Sequence, residues 1–166
     1  MANDVKQCVH VSLIAFRDGD KILLNRRADT GGTMWEFIGG GIEVGETPHE
    51  AIRREIAEEV NYTLSTDDSL QFVDELRITY GDVQATVYCF TAQLPGLDKF
   101  SDSDEVFVRD LALFSRDEAL ELELLPMRRT TGRRSPRSRA SRRFVATALL
   151  PAWAFLVLLI GYPLPH

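Results

Sequence analysis

Residues 39–62 read "GGGIEVGETPHEAIRREIAEEVNY", a glycine run followed by a helix whose two ends are both written in the chain. Thr47 is a good N-cap, Pro48 takes the first helical position, where a missing N–H is harmless, and Glu50 completes a capping box. Ile52, Ile56 and Val60 make an apolar stripe, and Asn61, tolerant of the left-handed region, ends it. The spacing therefore predicts a helix over residues 48–60. At about 100° per residue, Glu55, Glu58 and Glu59 fall on one narrow strip beside that stripe. Like charges about 4 Å apart repel by ~1 kcal/mol in water and ~4 kcal/mol at an effective dielectric of 20. Arg54, one turn before Glu58, is the obvious local relief. A hard divalent cation would convert the repulsion into binding, because Mg²⁺ takes oxygen ligands and shares its shell with phosphates and water. The plainer alternative is a solvated acidic helix face.

Strands flank this helix. "CVHVSLIAF" puts Val9, Val11, Leu13 and Ala15 on one side, and "RDGD" supplies a turn into "KILLNRR", which predicts a hairpin. "MWEFIGGG" reads as a short strand running into glycines that let the backbone approach a ligand. "LQFVDELRITY" and "VQATVYCFTAQL" read as a second, longer hairpin. "VFVRDLALF" is a further strand, and "SRDEALELELL" opens on a second capping box, Ser115 with Glu118, and spaces Leu120 and Leu124 as a helix does. The expected fold is α/β (α+β): a mixed sheet sandwiched between helices. No internal repeat is visible.

The chain has 166 residues, enough for one domain with a sizeable core. Its net charge of −6 conceals an asymmetry. Residues 1–126 hold 11 basic and all 25 acidic residues, a net charge of −14, whereas eight arginines crowd between Arg128 and Arg143. An acidic body argues against nonspecific nucleic-acid binding and suits a divalent-cation partner. Cys8 and Cys89 lie in apolar alternating runs and are expected as buried small hydrophobes rather than a disulfide or metal thiolates. "MANDVKQ" lacks the apolar run of a signal peptide, so a reducing cytoplasm is the expected location.

From Gly40 the chain reads Gly, five residues, Glu46, seven residues, Arg54-Glu55-Ile56, one residue, Glu58-Glu59, one residue, Asn61-Tyr62. Over these 23 residues it resembles the signature box of the Nudix hydrolases, and "LLNRRAD", "MWEFIGGG" and "EVFVRDLALFSRDEAL" extend the likeness to roughly residues 5–126. Two positions depart from the family pattern: Asn61 stands where Gly is usual, and Ile38 where Pro is usual before the glycines.

The resemblance implies that Glu55, Glu58 and Glu59 bind Mg²⁺ or Mn²⁺ with the Gly39 carbonyl, and that Glu46 orients Arg54, which steadies the cluster. It implies cleavage of a nucleoside diphosphate linked to some group X by in-line attack of water at phosphorus. Glu59 or Glu105 is the candidate base, with Asp102 and Asp104 the other late-loop acids. Arg27 is a candidate for a substrate phosphate, or a solvated strand-end arginine. Trp35 is a candidate base-stacking residue, or a core or rim aromatic. "NRRAD", "WEF" and "GETP" look closest to the MutT-type branch, which acts on (deoxy)nucleoside triphosphates. ADP-ribose, other nucleotide derivatives and a nonenzymatic nucleotide-sensing role are the alternatives.

The likeness stops near Pro126, giving a hydrolase domain over 1–126, an Arg-rich linker over 127–143 and an apolar tail over 144–166. Phe144 to Tyr162 carry no charge across 19 positions, a length that as helix spans about 28 Å, near the thickness of a bilayer core. With arginines before it, this tail reads either as a C-terminal membrane anchor on a cytoplasmic enzyme or as the product of a shifted reading frame. Oligomeric state is not legible.

Overall fold

The computed structural model describes residues 7–27, 34–65, 68–80, 83–101, 108–122, 128–129 and 144–145. Strands β1 (Gln7–Asp18), β2 (Lys21–Arg27), β3 (Trp35–Glu36) and β4 (Ile38–Gly41) precede helix α1 (Pro48–Val60). Strands β5 (Gln71–Tyr80), β6 (Val83–Gln93) and β7 (Val108–Ser115) follow, and helix α2 (Arg116–Glu121) comes after them. Seven strands form one mixed sheet with the path β3-β2-β1-β6-β5, β4 lying on β1 and β7 on β2. Two-residue strands β8 (Arg128–Arg129) and β9 (Phe144–Val145) pair antiparallel in a separate sheet. The remainder of the expected linker and tail lies outside the described residues.

Helix α1 starts and ends where its capping residues place it. The Thr47 side chain accepts from the Glu50 N–H, and Glu50 accepts in return from the Thr47 N–H at 2.8 Å. Asn61 takes φ 50°, in the left-handed region. Ile52, Ile56 and Val60 are fully buried against Ile14, Phe16, Leu23, Ile38 and Phe90, and each such side chain contributes roughly 1.5–3 kcal/mol. The opposite sheet face holds Ala15, Ile22, Leu24, Phe37, Val87 and Cys89, with Ala119 of α2 among them.

Three expectations change. The β1–β2 hairpin is confined to Arg17↔Ile22 and Asp18↔Lys21, because Val11 to Ile14 pair instead with Gly41 to Ile38 of β4, and β1 runs parallel to β6 along its other edge. Helix α2 is short: Leu122 is extended (φ −73°, ψ 147°), so the periodicity through Leu124 does not carry the helix past Glu121. Cys8 is exposed beside Gln84, near the start of β1, whereas Cys89 is buried as expected. Burial pushes the Cys89 thiol up to about 12, so it stays protonated and inert. Neither cysteine forms a disulfide.

Candidate functional site

The glycine strand β4 runs between β1 and α1, and its bare backbone decides how close the helix comes. Gly39 has φ 142°, and a Cβ there would fall 2.1 Å from the Ser12 carbonyl oxygen. A Cβ on Gly40 would fall 2.5 Å from Glu55 Oε1. The second glycine thus leaves the space that Glu55's carboxylate fills. The Ser12 hydroxyl donates to the Pro48 carbonyl at 3.0 Å and ties the first turn of α1 to β1.

The acidic strip divides in two. Glu55 and Glu59 are 0 % and 1 % exposed, whereas the Glu58 side chain is 41 % exposed. A merely solvated face is therefore not what forms, since two of the three carboxylates sit inside the protein. Glu59 Oε2 accepts from the Gly39 N–H at 3.2 Å and from Asn25 Nδ2 at 3.4 Å.

Arg54 gathers the rest. Its Nε donates to Glu46 Oε1 at 2.7 Å, and Nη2 to Glu46 Oε2 at 2.9 Å and to the Gly41 carbonyl at 2.9 Å. Its Nη1 donates to Glu55 Oε1 at 2.8 Å and Glu58 Oε2 at 3.1 Å. All five N–H donors of a guanidinium are placed in this way. Glu46 is held from its other side by the Glu43 N–H at 2.9 Å. Hydrogen bonding to Arg54 keeps the Glu46 carboxyl below the usual carboxylate range, against the opposing effect of burial. The same bond, against burial, raises Arg54 above the ordinary arginine range, so this pair stays charged.

The donor chemistry fits a hard divalent cation. Carboxylate and carbonyl oxygens are the ligands such ions take, and Arg54 Nη1 already acts as a cation bridging Glu55 and Glu58. Among the described residues, no three His, Cys, Asp or Glu side chains converge tightly enough to hold an ion as they stand. Glu55 and Glu58 would offer such an ion their carboxylate oxygens, and Glu46 holds Arg54 Nε and Nη2 beside them.

Other sequence candidates fall differently. Trp35 belongs to the cluster on the sheet face away from α1, edge-on to Phe114 at 4.7 Å between ring centroids, with the Arg26 guanidinium carbon 5.8 Å from its own centroid. Arg26 in turn pairs with Asp110. Trp35 is thus packed as a rim aromatic and is not brought to the carboxylates. Arg27 lies at the end of β2, at a register shift opposite Val108. Asp102, Asp104 and Glu105 lie outside the described residues. Ser101, immediately before them, is tied to the end of α1: its N–H donates to the Val60 carbonyl at 3.1 Å, and its hydroxyl accepts from Asn61 Nδ2 at 2.9 Å.

Two residues that sequence reasoning passed over belong to the site, Ser12 and Asn25. Both are polar at positions of strand alternation that face α1, and both are fully buried. A polar residue on the inward side of an apolar run was the available signal.

A NUDIX domain family model matches residues 6–134. The chain is 30 % identical over 115 residues to the human protein named mitochondrial NAD(P)H pyrophosphatase NUDT13, covering 68 % of this chain and 31 % of that one. It is 36 % identical over 113 residues to a protein of Salmonella paratyphi B named nucleoside triphosphatase NudI, covering 58 % and 80 %. The chain thus spans about a third of the length of the first curated relatives it matches, though most of NudI. The crystal structure of a MutT NUDIX hydrolase from Burkholderia pseudomallei superposes with a TM-score of 0.56 at 18 % identity, covering 82 % of this chain and 94 % of that one. That likeness speaks to the fold.

Proposed function

This chain belongs to the Nudix hydrolase family, and on that premise we propose that it is a Mg²⁺- or Mn²⁺-dependent hydrolase of the pyrophosphate linkage in a nucleoside diphosphate joined to a group X. The observation that carries this reading is the carboxylate cluster itself: Glu46, Glu55 and Glu58 share one guanidinium, and Glu59 is buried one turn away. Glu55 and Glu59 lie inside the protein, and buried carboxylates are costly unless paired, hydrogen-bonded or bound to a metal, which suits a site built around a cation.

Glu55, Glu58, Glu59 and the Gly39 carbonyl would hold the ion. When bound, it supplies charge neutralisation at the phosphoryl oxygens and a lowered pKa for water. The protein's own part is positional. Glu46 fixes Arg54, Arg54 fixes Glu55 and Glu58, and the glycine strand brings a backbone N–H to Glu59. Glu59 or Glu105 takes the proton from the attacking water, and Arg27 meets a substrate phosphate.

We assign a (deoxy)nucleoside triphosphate as the substrate class, with nucleoside monophosphate and pyrophosphate as products. The extent of the match to a relative named a nucleoside triphosphatase favours it. A dinucleotide is a competing class, favoured by the longer human relative named a NAD(P)H pyrophosphatase, and ADP-ribose is another alternative. A screen of the purified chain with Mg²⁺ against triphosphates, ADP-ribose, dinucleoside polyphosphates and nucleotide sugars decides between them. Turnover confined to ADP-ribose or dinucleotides overturns the triphosphate assignment, and turnover of none overturns the enzyme.

No helix among the described residues is long and apolar enough to cross a membrane. The apolar run expected as an anchor lies, apart from Phe144 and Val145, outside those residues.

A further inference from the structure

The chemistry above leaves one buried side chain beside the carboxylates without a role. Asn25 lies within β2, opposite Glu36 of β3 and Leu111 of β7, and is fully buried. Strand alternation puts it on the face of Leu23, toward α1, whereas Leu24 joins the opposite cluster. A third leucine there would be the ordinary choice for a central strand.

Its amide makes one contact that matters: Nδ2 donates to Glu59 Oε2, the oxygen that also accepts the Gly39 N–H. Only the nitrogen end of an amide has protons to offer a carboxylate, so the orientation of the group is set by its partner. Its Oδ1 is then turned away, buried and without a hydrogen-bond partner among the described residues. An orphaned carbonyl oxygen destabilises the fold relative to an apolar side chain of similar shape. A residue that lowers stability in this way is the kind retained for a site.

We propose that Asn25 is a positioning residue for Glu59, an inference that rests on Glu59 being a ligand of the divalent ion. Two N–H groups from different strands, Gly39 on β4 and Asn25 on β2, grip one carboxylate oxygen and so fix the plane of the carboxylate. The direction of Oε1 follows from that plane. A neutral amide suits the task. A lysine or arginine at this position would compete with the ion, and an acid would add to the repulsion.

The test compares the full-length chain with Asn25→Leu, Glu59→Gln and the double variant, all stripped of metal. Mn²⁺ is titrated calorimetrically, and metal-free melting is recorded alongside. Asn25→Leu should bind Mn²⁺ about 10–100-fold more weakly, the usual loss when a group orienting a ligand is removed, with metal-free melting showing that the variant is folded. In the Glu59→Gln background the same change should weaken Mn²⁺ binding no further, because the two act as one unit. If leucine prevents folding, Asn25→Ala carries the same comparison. Parent-like Mn²⁺ affinity in the folded variant, or an undiminished loss in the Glu59→Gln background, overturns the positioning role alone. A parent chain that takes up no Mn²⁺ overturns the metal-dependent reading, and this inference with it.

Discussion

Replacing Arg54 by methionine keeps an unbranched apolar stem and removes all five hydrogen bonds at once. Their worth is uneven. The bond to Glu58 reaches a side chain 41 % exposed, so as a partly solvated i,i+4 pair it contributes only about 0.3–0.5 kcal/mol. The bond to Glu55 is different, because that carboxylate is 0 % exposed and Arg54 itself only 19 %. Stranding a buried charge costs about 3–5 kcal/mol, which for a chain of this size lowers the melting temperature by roughly 6–20 °C. The loss should also depend on pH with a definite sign. Glu46's carboxyl is depressed by Arg54, so its stabilising contribution is present above the ordinary carboxylate range and disappears as pH falls through the depressed value. The variant lacks that contribution. The gap between parent and variant is therefore widest at neutral pH and narrows on acidification. Thermal and urea unfolding in the presence of a chelator, at neutral pH and again below the carboxylate range, measures it. A neutral-pH difference under about 0.5 kcal/mol, the scale of an ordinary surface substitution, would refute the claim that Arg54 holds the buried cluster together.

Other consequences follow from the same geometry. Glu58→Gln and Glu59→Gln should each remove most turnover while the metal-free fold stays intact, as steady-state rates at saturating Mg²⁺ and far-UV circular dichroism would record; near-parent rates would strike that residue from the ligand set. Glu46→Gln should lower activity less than either, because its carboxylate grips Arg54 rather than metal, and its stability should respond less to acid than the parent's. Melting temperatures across the acid range check the second point. Gly40→Ala drives a Cβ to 2.5 Å from Glu55 Oε1, and the displaced carboxylate should lower stability by about 1–3 kcal/mol and weaken Mn²⁺ uptake, both readable by unfolding and calorimetry.

How much of this was legible in the chain depends on how local the cause is. Helix α1 could be read to the residue because Thr47, Pro48, Glu50 and Asn61 act within a turn of where they stand. The β5–β6 hairpin was equally plain, its strands paired over nearly their full length. The central place of β1 was not, because its parallel pairing with β6 joins Gln7 to Val83 and no alternation pattern encodes so distant a partner. The helical angle put three glutamates on one strip, but it carried no sign that Gly40 would leave room for Glu55 and the Gly39 N–H would reach Glu59 while Glu58 faced outward. Asn25 escaped notice for the same reason: its meaning depends on Glu59, which lies 34 residues away. Cys8 misled because alternation names a face of the strand, while exposure depends on what covers it.

The metal-dependent pyrophosphohydrolase activity proposed for this carboxylate cluster has a direct product signature. It is tested most directly by ³¹P NMR of a deoxynucleoside triphosphate incubated with the full chain, with Mg²⁺ and with chelator, beside the Glu59→Gln variant. Resonances of nucleoside monophosphate and pyrophosphate should grow only with Mg²⁺ and be nearly absent in the variant. Release of inorganic phosphate in place of pyrophosphate, or equal turnover by Glu59→Gln, would contradict it.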